Sequence, residues 1–146
     1  MNDLDWTALE EAALSALQEQ LADQVNTLES YQGDWRADLQ EKGWRLPAVL
    51  VMLAGTRSEA AAGRSYDLTV DLTFLVIVRQ LHGEAAGRRE GTGAYQLLAA
   101  MRQALWHQDL GLEILPLALV REDPLLNNRE FSVYTAQYRT GAIVDL

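Results

Sequence analysis

The chain has 146 residues, with 49% hydrophobic and 23% charged positions, which is enough for one ordinary domain and excludes wholesale disorder. It contains no cysteine, so disulfides, thiolate metal sites and cysteine nucleophiles are out, and a reducing compartment suits it. Net charge is −9, and the imbalance is local: residues 1–41 hold ten acids against Arg36 alone, while residues 42–146 hold eleven acids and eleven bases.

A pI near 4.6 without a basic stripe argues against nucleic acid as the main partner. Eleven of the twelve basic residues are arginine, whose planar fork suits ion pairs at interfaces. The longest apolar run, Leu46 to Gly55, falls well short of the ~20 residues that span a bilayer. The first residues carry Asp3 and Asp5, unlike a basic signal-peptide start, so a soluble cytoplasmic protein without membrane partners is expected.

Asp5 is placed to cap a first helix, in which Leu14, Leu17, Leu21, Val25 and Leu28 recur at spacings of three and four. Around Thr27–Tyr31 the pattern becomes a short strand, and Gln32-Gly33-Asp34 turns the chain. Leu46–Gly55 reads as a strand buried on both faces, with Pro47 allowed because it opens the strand. Gly55–Ser65, small and polar, reads as a loop.

The strongest signal follows. Tyr66, Leu68, Val70, Leu72, Phe74, Val76 and Val78 are apolar on one parity, with Asp67, Thr69, Asp71, Thr73 and Arg79 on the other. Period two over this length predicts one long strand with a core face and a wetter face. Leu75 and Ile77 break the polar parity, so the later half of the strand should be covered on both faces.

His82–Gly93 reads as a second loop, and Thr92 can cap a second helix packed through Ala94, Leu98, Met101 and Leu105, ending near Asp109. Leu112–Val120 reads as a strand interrupted at Pro116, at an edge or a bulge. Pro124 and Asn127-Asn128 mark the turn before a last strand, from about Glu130 to Tyr138. The expectation is a single α+β domain over residues 1–146. Its sheet is mixed and mainly antiparallel, with about five strands and two main helices on one face.

The same pass offers little chemistry. His82 and His107 have no HxxxH or HExxH partner, and the serines lack a GxSxG or SxxK context. Gly87–Gly93 is glycine-rich ahead of a helix, yet it fits neither GxGxxG nor the P-loop pattern. Asp67 and Asp71, with Thr69, share one side of the long strand. Paired carboxylates there could share a proton or hold a metal, against the plainer reading of solvated residues on a wet face. Trp6, Tyr31, Trp35 and Trp44 lack basic interleaving, which makes them core and interface material. No catalytic, cofactor-binding or metal-binding residues are assigned.

The order of motifs resembles the tail-terminator family of Mu-like phages and prophages, and more distantly the tail-terminator protein U of lambda-type phages. The resemblance runs through the first helix, Glu29-Ser30-Tyr31-Gln32-Gly33-Asp34, Arg45–Val51 with Gly55, and the long strand from Tyr66. It continues through Gly93–Leu98, Leu110-Gly111-Leu112 and Ser132-Val133-Tyr134. It implies a non-enzymatic ring, commonly six copies, that caps the tail tube, ends its growth and joins the tail to the head. The implied partners are further copies of the chain, tube protein, head-completion proteins and DNA in the lumen, first in the host cytoplasm and then in the virion tail. Arg57 and Arg64 in one expected loop, and Arg88 and Arg89 in the other, are the candidate assembly contacts. Two rival expectations are an oligomeric adaptor using the sheet edge at Pro116, and a small acid–base enzyme using Asp67, Asp71 and His82.

Overall fold

A computed structural model describes residues 5–80 and 93–146. Its elements are α1 (Trp6–Leu21), a 3-10 turn (Ala22–Gln24), β1 (Thr27–Ser30), α2 (Trp35–Glu41), β2 (Ala48–Ala60) and β3 (Ser65–Arg79). They are followed by α3 (Ala94–Leu105), β4 (Ala118–Asn127) and β5 (Phe131–Asp145). The five strands form one mixed sheet in the order β1-β2-β3-β5-β4, parallel only at β1–β2, as expected for an α+β fold.

Asp5 caps α1 by accepting the Thr7 amide at 3.0 Å. The helix buries Leu9, Ala13, Leu17 and Leu21, while Leu14 packs at the margin, and it stops before Val25 and Leu28. On α3, Ala94, Leu97, Leu98, Met101 and Leu105 are buried. These stripes cover the sheet face that carries Val49, Val51, Val70, Leu72, Phe74, Val76, Ala136 and Tyr138. This helix-covered face holds the even-numbered residues of β3, as the alternation requires. Leu75 and Ile77 are buried on the opposite face with Leu50 and Val133.

That second cover is an element the sequence reading lacked. Asp34 caps α2 through the Arg36 amide, and Leu39, Trp35 and Trp44 pack with Tyr31 against Leu50, Leu75, Ile77 and Phe131. Two main helices therefore lie on one face and a short third helix on the other. Among the described residues, the acids of α1 and those of α2 therefore lie on opposite sides of the sheet.

Four boundaries also differ from expectation. β2 does not end in a loop at Gly55. It bulges between Leu53 and Gly55 and pairs with β3 as far as Ala60. α3 ends at Leu105, so His107 lies beyond the helix, with positive φ and stacked on Trp106. Residues 112–117 are irregular, and Pro124 lies within β4, which is a bulged edge strand with Pro116 outside it. β5 runs through Asp145 rather than stopping at Tyr138. The Thr92 cap lies outside the described residues, and Gly93 occupies the cap position of α3.

Candidate assembly surface

β1 pairs with β2 only from Ala48 to Val51, and β4 pairs with β5 only from Ser132 to Arg139. Beyond those limits β2, β3 and β5 continue as a three-stranded arm, its β5 edge touched by the main chain of Leu115 at Thr140 and Gly141 and open beyond them. Arg57 lies on the β2 edge of this arm, exposed and opposite Thr69. Arg64 sits in the tight turn between β2 and β3, where its carbonyl accepts the Leu146 amide at 2.9 Å. Neither arginine stands on a long loop, because period-two pairing carries the small residues Thr56, Ser58 and Ala60 as readily as large ones. Arg88, Arg89 and His82 lie outside the described residues.

The register puts Gly55, Arg57, Glu59, Asp67, Thr69, Asp71, Arg139, Gly141 and Ile143 on one face of the arm, away from α1 and α3. Asp71 accepts from Arg139 Nε at 2.8 Å, so this carboxylate is partnered across the β3–β5 pair. Hydrogen bonding to Asp71 raises the Arg139 guanidinium pKa further above its ordinary value, keeping it charged. Asp67 is four residues along the same strand, about 13 Å away at 3.3 Å per residue. The two carboxylates therefore do not share a proton or a metal ion. Among the described residues no group of three or more His, Asp or Glu converges on a point.

An open groove of about 720 Å³ runs along this face, lined in part by Glu59, Asp67, Arg139, Ile143 and Leu115. Leu115 and Ile143 are 65% and 58% exposed, unusual for side chains of this size on an otherwise polar face. Leu115 is held there by its own amide, which donates to the Gly141 carbonyl at 2.8 Å, and by its carbonyl, which accepts from Thr140 Oγ1. Gly141 is required by close approach, since a β-carbon at that position would stand 2.8 Å from the Leu68 carbonyl oxygen. Arg139 and Ile143 were missed from sequence because the last strand was expected to end near Tyr138. The alternation through Thr140, Ala142 and Val144 was the signal available.

On the other side of the molecule, α1 presents Glu11 and Glu19 and the 3-10 turn after it presents Asp23, with no basic residue in either element. Arg102 of α3 is engaged by both Glu122 oxygens, at 2.9 and 3.0 Å, which ties that helix to β4. No described helix is long and apolar enough to cross a membrane. The arrangement offers polar strand edges, a few exposed apolar side chains and fixed charges, which are the materials of protein–protein contact.

No curated protein matches the chain. Residues 6–142 match the family described as "Bacteriophage Mu, Gp37", a span reaching from the first residue of α1 almost to the end of β5. On that match, the chain belongs to the bacteriophage Mu Gp37 family.

Proposed function

We propose that this chain is a structural protein of a phage or prophage tail. In this reading it forms a ring, commonly of six copies, on the head-proximal end of the tail tube, stops tube growth and joins the tail to the head. Its partners are neighbouring copies, tube protein and head-completion proteins, with DNA passing through the lumen. It assembles in the host cytoplasm and remains in the virion tail. The observation that carries the reading is the match to a phage Mu family over residues 6–142. The similarity in motif order to tail terminators supplies the specific role.

The physical features accord with such a part. A ring of identical subunits needs two different surfaces on each copy, and the arm has two different open edges. A terminator must also bind tube protein on one side and refuse it on the other. Exposed acids on α1 suit the refusing side, because like charges facing each other across an interface cost several kcal/mol. The reading gives the chain no catalytic role.

Deleting the gene from its phage or prophage and imaging the particles tests this. Overlong or headless tails are expected, and tails of normal, uniform length joined to heads would overturn the reading. The rival, an oligomeric adaptor, predicts a dimer at every protein concentration in solution and no effect on tail length.

A further inference from the structure

Sheet edges are ordinarily protected, because unpaired amides and carbonyls recruit other strands. At the five-stranded end this protein follows that rule. β1 is only four residues long, and β4 carries Pro124 and two register shifts. The arm breaks the rule on both sides, and its two open edges are complementary.

The backbone pattern follows from the hydrogen bonds at the arm's edges. The Gly141 carbonyl accepts from Leu115, so it points away from β3, and the alternation makes Ile143 and Asp145 point outward as well. On the far side of β3, Arg57 and Glu59 then bond inward, which leaves the amides and carbonyls of Thr56, Ser58 and Ala60 pointing outward. Neither β1 nor β4 reaches these positions.

Three strands in antiparallel alternation leave β2 and β5 running the same way. A second copy in the same orientation can therefore continue the sheet, its β5 lying parallel to the first copy's β2. Parallel pairing places an outward-bonding residue opposite an inward-bonding one on the same face, and Thr56 opposite Val144 satisfies that condition.

In this register Arg57 lies opposite Asp145, and Ile143 lies opposite Gly55. Arg57 has no ion-pair partner among the described residues. Beyond its chain neighbours, nothing lies within 4 Å of where a Gly55 β-carbon would stand, so the exposed Ile143 side chain on the β5 edge meets open space there and no clash. Charge, shape and backbone parity all agree on this pairing.

We propose that copies of this chain join head to tail through a parallel strand junction, Gly55–Arg57 of one copy beside Ile143–Asp145 of the next. The partner is a second copy of the chain, because only this pairing occupies both open edges. A two-fold pairing of β2 with β2 would leave both β5 edges bare. The heterologous contact repeats from copy to copy and closes if the rotation closes. The proposal rests on the ring reading and gives that ring its interface.

The chain has no cysteine, so a pair can be introduced cleanly. Within one copy, Arg57 and Asp145 stand on opposite edges of the arm, two strand spacings or about 10 Å apart sideways alone. That exceeds the roughly 7 Å Cα limit for a disulfide, so any bond between them joins two copies. The test oxidises purified full-length Arg57→Cys/Asp145→Cys protein at high concentration and resolves it without reductant.

The expected result is a ladder of covalent multimers with the monomer reduced to a minority. Each single variant should stay monomeric or reach a dimer only. A charge swap checks the same contact: Arg57→Asp should abolish association, and adding Asp145→Arg should restore it. Monomer throughout would overturn the junction, as would efficient dimer formation by Ser58→Cys alone, which marks a two-fold β2 pairing. Rings of the double-cysteine variant that assemble in the microscope yet fail to cross-link on oxidation would overturn the junction while leaving the tail-terminator reading intact. A ladder from a protein whose gene deletion leaves tail length unchanged would support the junction and overturn that reading.

Discussion

The two ends of the sheet are built from the same three long strands and do opposite things. Between Ala48 and Val51, β2 sits between β1 and β3, with α1 and α3 on one face and α2 on the other. Between Gly55 and Ala60 it has a strand on one side only and no helix over the face that carries Arg57. The change comes at the bulge, where Ala54 is the extra residue and Gly55 takes φ +155°. The first region spends its residues on a core. The second keeps its regularity through backbone pairing, and its polar side chains remain free for another molecule. A strand need not be apolar to be long, provided a neighbour supplies the hydrogen bonds.

The sharpest way to break this contrast lies where the two regions meet. Val70 is fully buried and Thr69, one residue away, faces the opposite side. Val70→Asp should cost about 3–6 kcal/mol, combining lost apolar burial with a buried polar group. Thr69→Asp should cost less than about 1 kcal/mol. Urea melts of the two variants check this, and equal losses would show that the parity is misassigned.

Next in size, Leu50→Ala at the packed end should cost about 2–5 kcal/mol, because both faces are closed and the cavity cannot collapse easily. Ile143→Ala on the arm should fall within about 0.5 kcal/mol in the isolated monomer, as expected for an exposed side chain. Thermal melts at low protein concentration give the comparison without contribution from assembly. If Ile143→Ala approached the Leu50 variant, the arm would belong to the core.

A smaller effect is confined to the packed end. Burial, together with a hydrogen bond to Asp38, pushes the Tyr31 hydroxyl pKa up to about 12 from 10. The folded chain holds that proton more tightly than the unfolded chain does. Its contribution is therefore complete below pH 10 and is lost as the pH rises towards 12. Tyr138 is raised in the same direction, by burial and then by Glu122. Tyr31→Phe should remove its own share of the alkaline slope and cost about 1 kcal/mol at neutral pH for the missing hydrogen bond. Denaturant melts between pH 8 and pH 12 measure both.

The smallest expected signal carries the most about function. In the monomer the amides of Thr56 and Asp145 face away from β3 and should exchange hydrogen quickly, while those of Val49 and Val76 are protected. Raising the protein concentration until it assembles should slow exchange at Thr56 and Asp145 and leave the core amides unchanged.

What the amino-acid order determined unaided was whatever rests on local periodicity. The alternation from Tyr66 to Val78 made β3 unmistakable, because a half-buried strand has no other way to place its apolar residues. The double burial of Leu75 and Ile77 could be read from the break in that alternation. The stripe on α3 and the Asp5 cap were equally legible, since a helix turn and its cap are contiguous in sequence. The single mixed sheet followed from the order of these elements.

What only the tertiary structure decided concerns residues whose state is set by a distant neighbour. Thr56–Ala60 looked like a loop, and became strand because β3 lies beside it to accept and donate hydrogen bonds. Gly141 lay beyond the strand end expected near Tyr138, and is there because the Leu68 carbonyl comes too close for any side chain. α2 is too short for a clear helical stripe, and its seven residues gain stability from packing on Leu75 and Phe131. Arg57 was singled out from sequence for its charge on an expected loop. Pairing across β3 put it at a free edge, with Asp145 at the other edge of the same arm. Periodicity specifies which way a side chain points, and only the partner strand specifies what lies beside it.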